Sequence, residues 1–198
     1  MHKRTSEIFT DVIANAEGSG EITVREILEL LGKKSFCLAV LVLALPNCIP
    51  IPNPPGLATL TGVPIMLLAI QMVWGRNAPW IPKRMANYSF SREKFANFLK
   101  KSLPYIYKIE RIFYPRMFWL GIGVSQRLIG TAFLILGFII SLPIPFANLV
   151  PGFAIACMAI GLMERDGLMM AIGLAIGAVG SMAMFKLIKG VVMGVMGL

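Results

Sequence analysis

The chain has 198 residues, of which 57% are hydrophobic and only 15% are charged, whereas a soluble domain carries about 25% charged residues. This composition excludes an ordinary soluble domain and predicts an all-α integral membrane protein. The net charge is +9, and the stretch from Arg76 to Arg127 holds eleven basic and two acidic residues, so it carries the whole excess. We expect this segment on the cytoplasmic side, against anionic lipid headgroups rather than nucleic acid.

Residues 1–34 predict two short amphipathic helices in the cytoplasm, outside the membrane domain at 35–198. The run from Thr23 to Glu26 fits a capping box that starts the second helix. Gly32 fits the end of that helix.

Two stretches, 35–76 and 128–166, follow one plan: an apolar arm ends at Leu-Pro, a proline-rich break follows, and a second apolar arm ends in polar residues. They predict an internal duplication. Proline lacks an N–H group and interrupts a helix. The arm from Pro64 to Trp74 covers only about 16 Å at ~1.5 Å per residue, against a hydrocarbon core of roughly 30 Å. We therefore expect re-entrant helical hairpins. The alternative is ordinary hairpins whose loops lie among the headgroups.

The basic segment at 77–127 predicts two amphipathic helices at the membrane surface, the first capped by Ser91. The alternative is a cytoplasmic helical hairpin packed on the other helices. The basic residues expected to contact lipid headgroups are Arg76, Lys83, Arg84, Lys100 and Lys101.

Residues 167–198 predict a C-terminal transmembrane helix, because Leu168 to Phe185 would span about 27 Å. Gly173 and Gly177 have the small-xxx-small spacing that allows close helix packing. The spacing predicts a homodimer through these two glycines.

Polar residues in the breaks and at the arm ends form the candidate substrate- or ion-binding set, namely Asn47, Asn53, Gln71, Asn148, Glu164, Arg165 and Asp166. Each has a structural alternative. The amides can satisfy backbone groups that proline frees, and the charged cluster can end one helix and cap the next.

Catalytic motifs are absent from the sequence. His2 is the sole histidine, and the three cysteines form no CxxC pattern, so neither a disulfide framework nor a zinc site is indicated. We expect no enzymatic activity, no metal and no cofactor.

Several strings resemble the bacterial ExoD family: LALPNCIPIPNPPG, TGVPIMLLAIQMVWGR, SLPIPFANLVPG and GLMERDG. The resemblance implies a multi-pass protein of the bacterial inner membrane that acts in exopolysaccharide synthesis or export. It supplies no catalytic residues.

Two functions are therefore expected. The first is a small transporter of a lipid-linked or anionic intermediate, or of ions or protons, with the breaks forming the site. The alternative is a non-catalytic membrane accessory or scaffold for a polysaccharide synthase.

Overall fold

The computed structural model describes residues 10, 20–49, 56–91, 93, 96–97, 99–101, 103–104, 107, 122–142 and 148–196. In this part of the chain the helices are α1 (Val24–Leu31), α2 (Lys34–Ala44), α3 (Leu57–Val73), α4 (Lys83–Ala86), α5 (Ile122–Ser141), α6 (Leu149–Glu164) and α7 (Gly167–Met196). A 3₁₀ turn, Leu45–Cys48, follows α2, and two short strands are β1 (Glu21–Thr23) and β2 (Ser89–Ser91).

The core of the fold is a bundle of four apolar helices that form two hairpins, α2 with α3 and α5 with α6. The hairpins pair crosswise, because α3 packs along α5 and α2 packs along α6. Helix α7 lies along α6 and closes one side of the bundle. The largest fully buried apolar side chains between these helices are Phe36, Phe133, Ile65, Met72, Ile129, Ile140, Ile155, Met158 and Val40.

The described residues that flank the two proline breaks, at the ends of α2 and α5 and the starts of α3 and α6, lie at the same end of the bundle, which we term the break end. There, a Cβ on Gly152 would come within 2.9 Å of the Asn47 side chain, and a Cβ on Gly62 would come within 2.9 Å of the Ser141 backbone nitrogen. At the opposite end the Gln126 side chain donates to the Arg76 carbonyl at 3.0 Å. We term this second end the basic end, because Arg76 and Arg127 are exposed there.

The prediction that the second arm of the first hairpin starts near Pro64 is wrong. Helix α3 has 17 residues and contains Pro64 in its interior, so it is about 25 Å long at ~1.5 Å per residue. The proline removes one backbone donor, and this leaves the Leu60 carbonyl without its helical partner but does not end the helix. The first arm of the second hairpin is also longer than predicted, because α5 starts at Ile122 rather than at residue 128.

The expectation of an all-α fold needs one correction, a two-stranded antiparallel ribbon. Strand β1 pairs with β2, with Glu21 opposite Ser91 and Thr23 opposite Ser89. Ser91 is the last residue of this second strand, and its role as a helix cap stays a prediction. The pairing joins segments far apart in sequence, and such contacts leave no local pattern for a sequence reading to detect.

The predicted capping of α1 is confirmed. The Thr23 hydroxyl accepts a hydrogen bond from the Glu26 backbone N–H at 3.2 Å. Gly32 ends the helix with φ of 53°, and its N–H donates to the Leu28 carbonyl at 3.0 Å. Glycine adopts this left-handed conformation without a steric penalty.

Helix α7 agrees with the predicted C-terminal segment, since Gly167–Lys186 is long and apolar enough to cross a membrane. Its glycines, however, pack inside the chain. A Cβ on Gly173 would meet the Ala154 carbonyl at 2.9 Å, and one on Gly177 would meet Leu136 at 3.0 Å. The small-xxx-small spacing thus serves contacts with α6 and α5. A homodimer through these two glycines stays a prediction.

We predict that Gly173→Leu lowers stability, because the new side chain would overlap the α6 backbone at Ala154 and Met158. Overpacking of this kind costs about 1–3 kcal/mol. The matched control is Ala178→Leu on the same helix, where the side chain is exposed. Thermal unfolding of the purified protein in detergent would measure both, and equal midpoints for the two variants would contradict the packing of α7 on α6.

Candidate functional site

A buried amide marks the break end of the bundle at Asn47, in the 3₁₀ turn after α2. Asn47 is 1% exposed. Its Nδ2 donates to the Thr61 hydroxyl oxygen at 3.0 Å and to the Leu43 carbonyl at 3.3 Å. The first bond links the end of α2 to the first turns of α3. Because Thr61 also donates to the Leu57 carbonyl at 3.0 Å, the amide and hydroxyl form a hydrogen-bonded pair inside the first hairpin.

A second buried amide, Asn148, lies at the same end of the bundle. It directly precedes α6 and is 6% exposed. Its carbonyl accepts the Gly152 N–H at 2.8 Å, and Gly152 in turn contacts Asn47. Asn148 Oδ1 is buried and has no hydrogen-bond partner among the residues that the structure describes. A buried polar oxygen without a partner costs about 1–3 kcal/mol, so it requires an explanation.

An ionic group lies at the basic end, between the start of α2 and the end of α6. Lys34 and Glu164 are both buried, and both act electrostatically on the Cys37 thiol. Charged side chains are almost never buried unless they are paired. The predicted residue Glu164 is thus part of a contact between the two hairpins, at the opposite end of the bundle from Asn47 and Asn148.

Asp166 caps the following helix, which is the structural alternative expected for the charged cluster of Glu164, Arg165 and Asp166. Its Oδ1 accepts the N–H groups of Leu168 at 3.0 Å and Met169 at 3.1 Å. This bonding caps α7, as is usual for Asp before a helix. Asp166 is 3% exposed, and its Oδ1 is already occupied by these two backbone N–H groups.

Arg165 ends α6 in the left-handed backbone conformation, with φ of 58° and ψ of 33°. It is the sole non-glycine residue with positive φ in the described part of the chain. Partial burial lowers the pKa of its guanidinium from the ordinary value, although arginine stays charged in proteins.

Gln71 does not join either group of polar residues. Its Oε1 accepts the Trp80 N–H, and its Nε2 donates to the Leu67 carbonyl at 3.2 Å. The side chain therefore fastens the loop after α3 to the end of that helix. This is the backbone-satisfying role, far from Asn47 along α3.

The predicted headgroup residues Arg76, Lys83, Arg84, Lys100 and Lys101 are all exposed. Trp74 and Trp80 are 74% and 62% exposed beside the first three of them. Exposed tryptophan with basic residues is typical of a membrane interface. Beside the exposed Lys100, Leu99 is buried, which favours the alternative that this segment packs on other helices. Asn53 lies outside the described residues.

Sequence reasoning missed five buried polar residues, which are Lys34, Ser35, Thr61, Ser125 and Gln126. Gln126 resembles Asn148, because among the described residues its Oε1 is also buried without a partner. A polar residue within an apolar run or at its edge gives no sign of whether it faces the bundle or the exterior. Within the described residues no group of three or more His, Cys, Asp or Glu could hold a metal ion.

The fold and its polar interior define a helical-hairpin protein of apolar exterior, and sequence comparison gives its family. The family described as "Exopolysaccharide synthesis, ExoD" matches residues 5–186. The chain belongs to the ExoD family.

Two relatives support this assignment. The chain is 34% identical over 172 residues to Protein ExoD of Rhizobium meliloti, covering 85% of this chain and 70% of the relative. It is 28% identical over 172 residues to "Uncharacterized protein slr1875" of Synechocystis sp., covering 86% of this chain and 81% of the relative. No solved structure matches the chain.

We predict that Thr61→Val destabilises the protein, since it removes the side-chain oxygen that accepts the 3.0 Å hydrogen bond from the buried Asn47 Nδ2. The expected loss is about 1–3 kcal/mol. The matched control is Thr59→Val on the same helix, because the exposed Thr59 makes only a 3.4 Å contact with the Ser141 carbonyl. Denaturant titration in mild detergent would measure both losses, and an equal loss in the two variants would argue against a buried Asn47–Thr61 bond.

Proposed function

We propose that the chain is a multi-pass protein of the bacterial inner membrane that acts in exopolysaccharide synthesis or export, as a small transporter. Its substrate is a lipid-linked or anionic intermediate, or an ion or proton. The observation that carries this proposal is a polar interior at the break end of a bundle whose outer surface is apolar. The family description and the name of the Rhizobium meliloti relative supply the pathway.

The bundle combines an apolar core with several buried polar residues at the break end and many large apolar side chains on its outer surface. Asn47, Thr61 and Asn148 are buried. Large apolar side chains point outward instead, and those at least 40% exposed on the hairpin helices are Val42, Leu60, Val63, Leu67, Leu128, Ile135, Phe138, Val150 and Phe153. Exposed apolar surface on this scale is typical of a membrane or protein contact. Polar residues inside such a bundle are by default functional candidates.

The length of α7 supports the re-entrant interpretation of the breaks. Gly180 of α7 is level with Val150 at the start of α6, since a Cβ on Gly180 would overlap that side chain. Gly167 starts α7 at the basic end, so the break end lies about 20 Å along the helix at ~1.5 Å per residue. Lys186 comes six residues later, a further rise of about 9 Å. If α7 crosses the membrane from Gly167 to Lys186, the hairpin arms end inside the apolar layer.

Matching features of the two second arms support an internal duplication. One constant shift in residue number relates Gly62 to Gly152, and both glycines contact the opposing hairpin at the break end. The same shift relates two backbone hydrogen bonds at the ends of these helices. The Arg76 N–H donates to the Gln71 carbonyl, and the Asp166 N–H donates to the Gly161 carbonyl. Both helices therefore end in one kind of motif.

Arg165 departs from this repeat in an informative way. The residue at its position in the first hairpin is Gly75, with φ of 77°. Glycine adopts positive φ freely, whereas other residues incur a cost of order 1–3 kcal/mol. An arginine at this position, beside the buried Glu164, supports the proposal that its guanidinium has a functional role. A positive group near the basic end suits an anionic substrate.

The core between the two ends favours alternating access over an open pore. Val40, Ile65, Phe133 and Ile155 are 0% exposed and fill the space between the break end and the basic end. Transport would therefore need the hairpins to move relative to each other, as broken-helix transporters do.

The accessory function has one observation in its favour. The ribbon of β1 and β2 ties the segment before α1 to the segment after α4, and Ile22 and Ala86 are buried there. This small unit beside the basic end offers a folded surface for a partner such as a polysaccharide synthase.

We predict that the chain restores exopolysaccharide production in Rhizobium meliloti lacking Protein ExoD, and that Asn148→Leu and Glu164→Gln do not. Asn148→Leu removes the unpartnered oxygen, and Glu164→Gln removes a charge between the hairpins. Asn87→Leu is the control, because Asn87 is exposed. Secreted polysaccharide would be measured at matched membrane levels of each variant. Full activity of both site variants would refute the transporter, and loss of activity only on deleting residues 20–32 would favour the accessory function.

Arg165→Gly separates strain from function at the end of α6. Because glycine relieves the positive φ, we expect stability to hold or to rise by about 1 kcal/mol. Activity in the same complementation assay should nevertheless fall to the level of the empty vector. Arg165→Lys, which keeps both the charge and the strain, should retain more activity than Arg165→Gly. A fully active Arg165→Gly protein would show that the guanidinium has no functional role.

A further inference from the structure

Asn148 has an unusual environment for the residue that precedes a helix. Asn in this position normally turns its side-chain oxygen onto the first N–H groups of the helix. Asn148 instead has φ of −81° and ψ of −18° and makes no such bond. Its Oδ1 is buried and unpartnered, so the fold carries an acceptor that a bound donor would satisfy.

Hydrogen-bond donors lie beside this acceptor at the start of α6. The first N–H groups of a helix have no partner within the helix. In α6 these belong to Leu149 and Val150, because Pro151 has no N–H and Gly152 already donates to the Asn148 carbonyl. Among the described residues, the start of the helix thus places these N–H groups and the Asn148 acceptor within one turn.

The polar side chains that surround this position are neutral. The described ones at the break end include Asn47, Thr59, Thr61, Ser141 and Asn148, while the buried Lys34 and Glu164 lie at the basic end. A bare anion would accept hydrogen bonds from the N–H groups but would be repelled by the Asn148 oxygen. A bare cation would be attracted by the oxygen but repelled by the N–H groups. Either charge would be buried without a partner, which is costly.

We propose that the break end binds an uncharged hydroxyl group through Asn148 Oδ1 and the first N–H groups of α6. A hydroxyl both donates and accepts, so it matches this set without burying a charge. Its source is either a saccharide or water. The proposal rests on the transporter function and assigns the neutral part of the substrate to the break end, leaving any anionic part to Arg165 and the basic end.

The first experiment measures saccharide binding by the full-length protein in lipid nanodiscs. The unfolding midpoint is followed by tryptophan fluorescence with glucose, sodium chloride or sodium phosphate. Sugars raise the unfolding midpoint of any protein because they are excluded from its surface. We expect this general rise to be equal in wild type, Asn148→Leu and Asn87→Leu. We expect an additional rise with glucose in wild type and Asn87→Leu that Asn148→Leu lacks. Asn148→Leu should respond to the two salts as wild type does.

The second experiment tests water as the source. Osmotic shrinkage of proteoliposomes is recorded by light scattering for wild type, Asn148→Leu and empty liposomes. If water is the ligand, wild type exceeds empty liposomes and Asn148→Leu falls toward them. If Asn148→Leu does not fold, Asn148→Asp replaces it, and this variant should lose the glucose response and gain one to sodium.

The proposal is overturned if neither glucose nor water distinguishes wild type from the Asn148 variants, or if wild type responds specifically to sodium or phosphate. Such a result would not contradict the proposed transporter function, provided that Asn148→Leu still fails to restore polysaccharide production. Conversely, wild type could show the glucose response while Asn148→Leu restores polysaccharide production fully. This outcome would support the binding site and contradict the transport function.

Discussion

The two hairpins meet at the break end because Gly62 and Gly152 carry no side chains. A Cβ on Gly152 would lie 3.0 Å from the Asn47 backbone carbon, and one on Gly62 would lie 2.8 Å from the Gly137 carbonyl oxygen. Contacts as close as these cannot accommodate even an alanine without backbone movement. They bring the ends of α2 and α5 against the starts of α6 and α3, and so bring Asn47 and Asn148 to one end of the bundle.

Local features of the chain were predictable from sequence, and long-range ones were not. The Thr23 cap of α1, the Gly32 stop and the apolar α7 follow from residues within a few positions of each other. The ribbon that joins β1 to β2 and the crosswise pairing of the hairpins depend on contacts between distant segments. Pro64 was misjudged for a related reason, because one missing N–H bends or weakens a helix but a packed neighbour such as α5 can hold it together.

The candidate site was predicted in part. Asn47 and Asn148 do lie at one end, since both belong to breaks that the bundle brings to the same side. Glu164 was identified but not its environment, because nothing in the run that starts at Lys34 indicates that this lysine is buried. The amide of Gln71, by contrast, is occupied by the Trp80 backbone, a partner nine residues away that only the folded loop supplies.

The crosswise pairing of the helices limits how the molecule can change shape. Each hairpin touches the other through two interfaces, α2 with α6 and α3 with α5, and both interfaces run from one end of the bundle to the other. If the hairpins moved as rigid bodies, parting Asn47 from Gly152 at one end would press Lys34 and Glu164 together at the other. The proposed transport would then use the apolar layer around Phe133 and Ile155 as its pivot, and exposure of one polar end would be coupled to closure of the other.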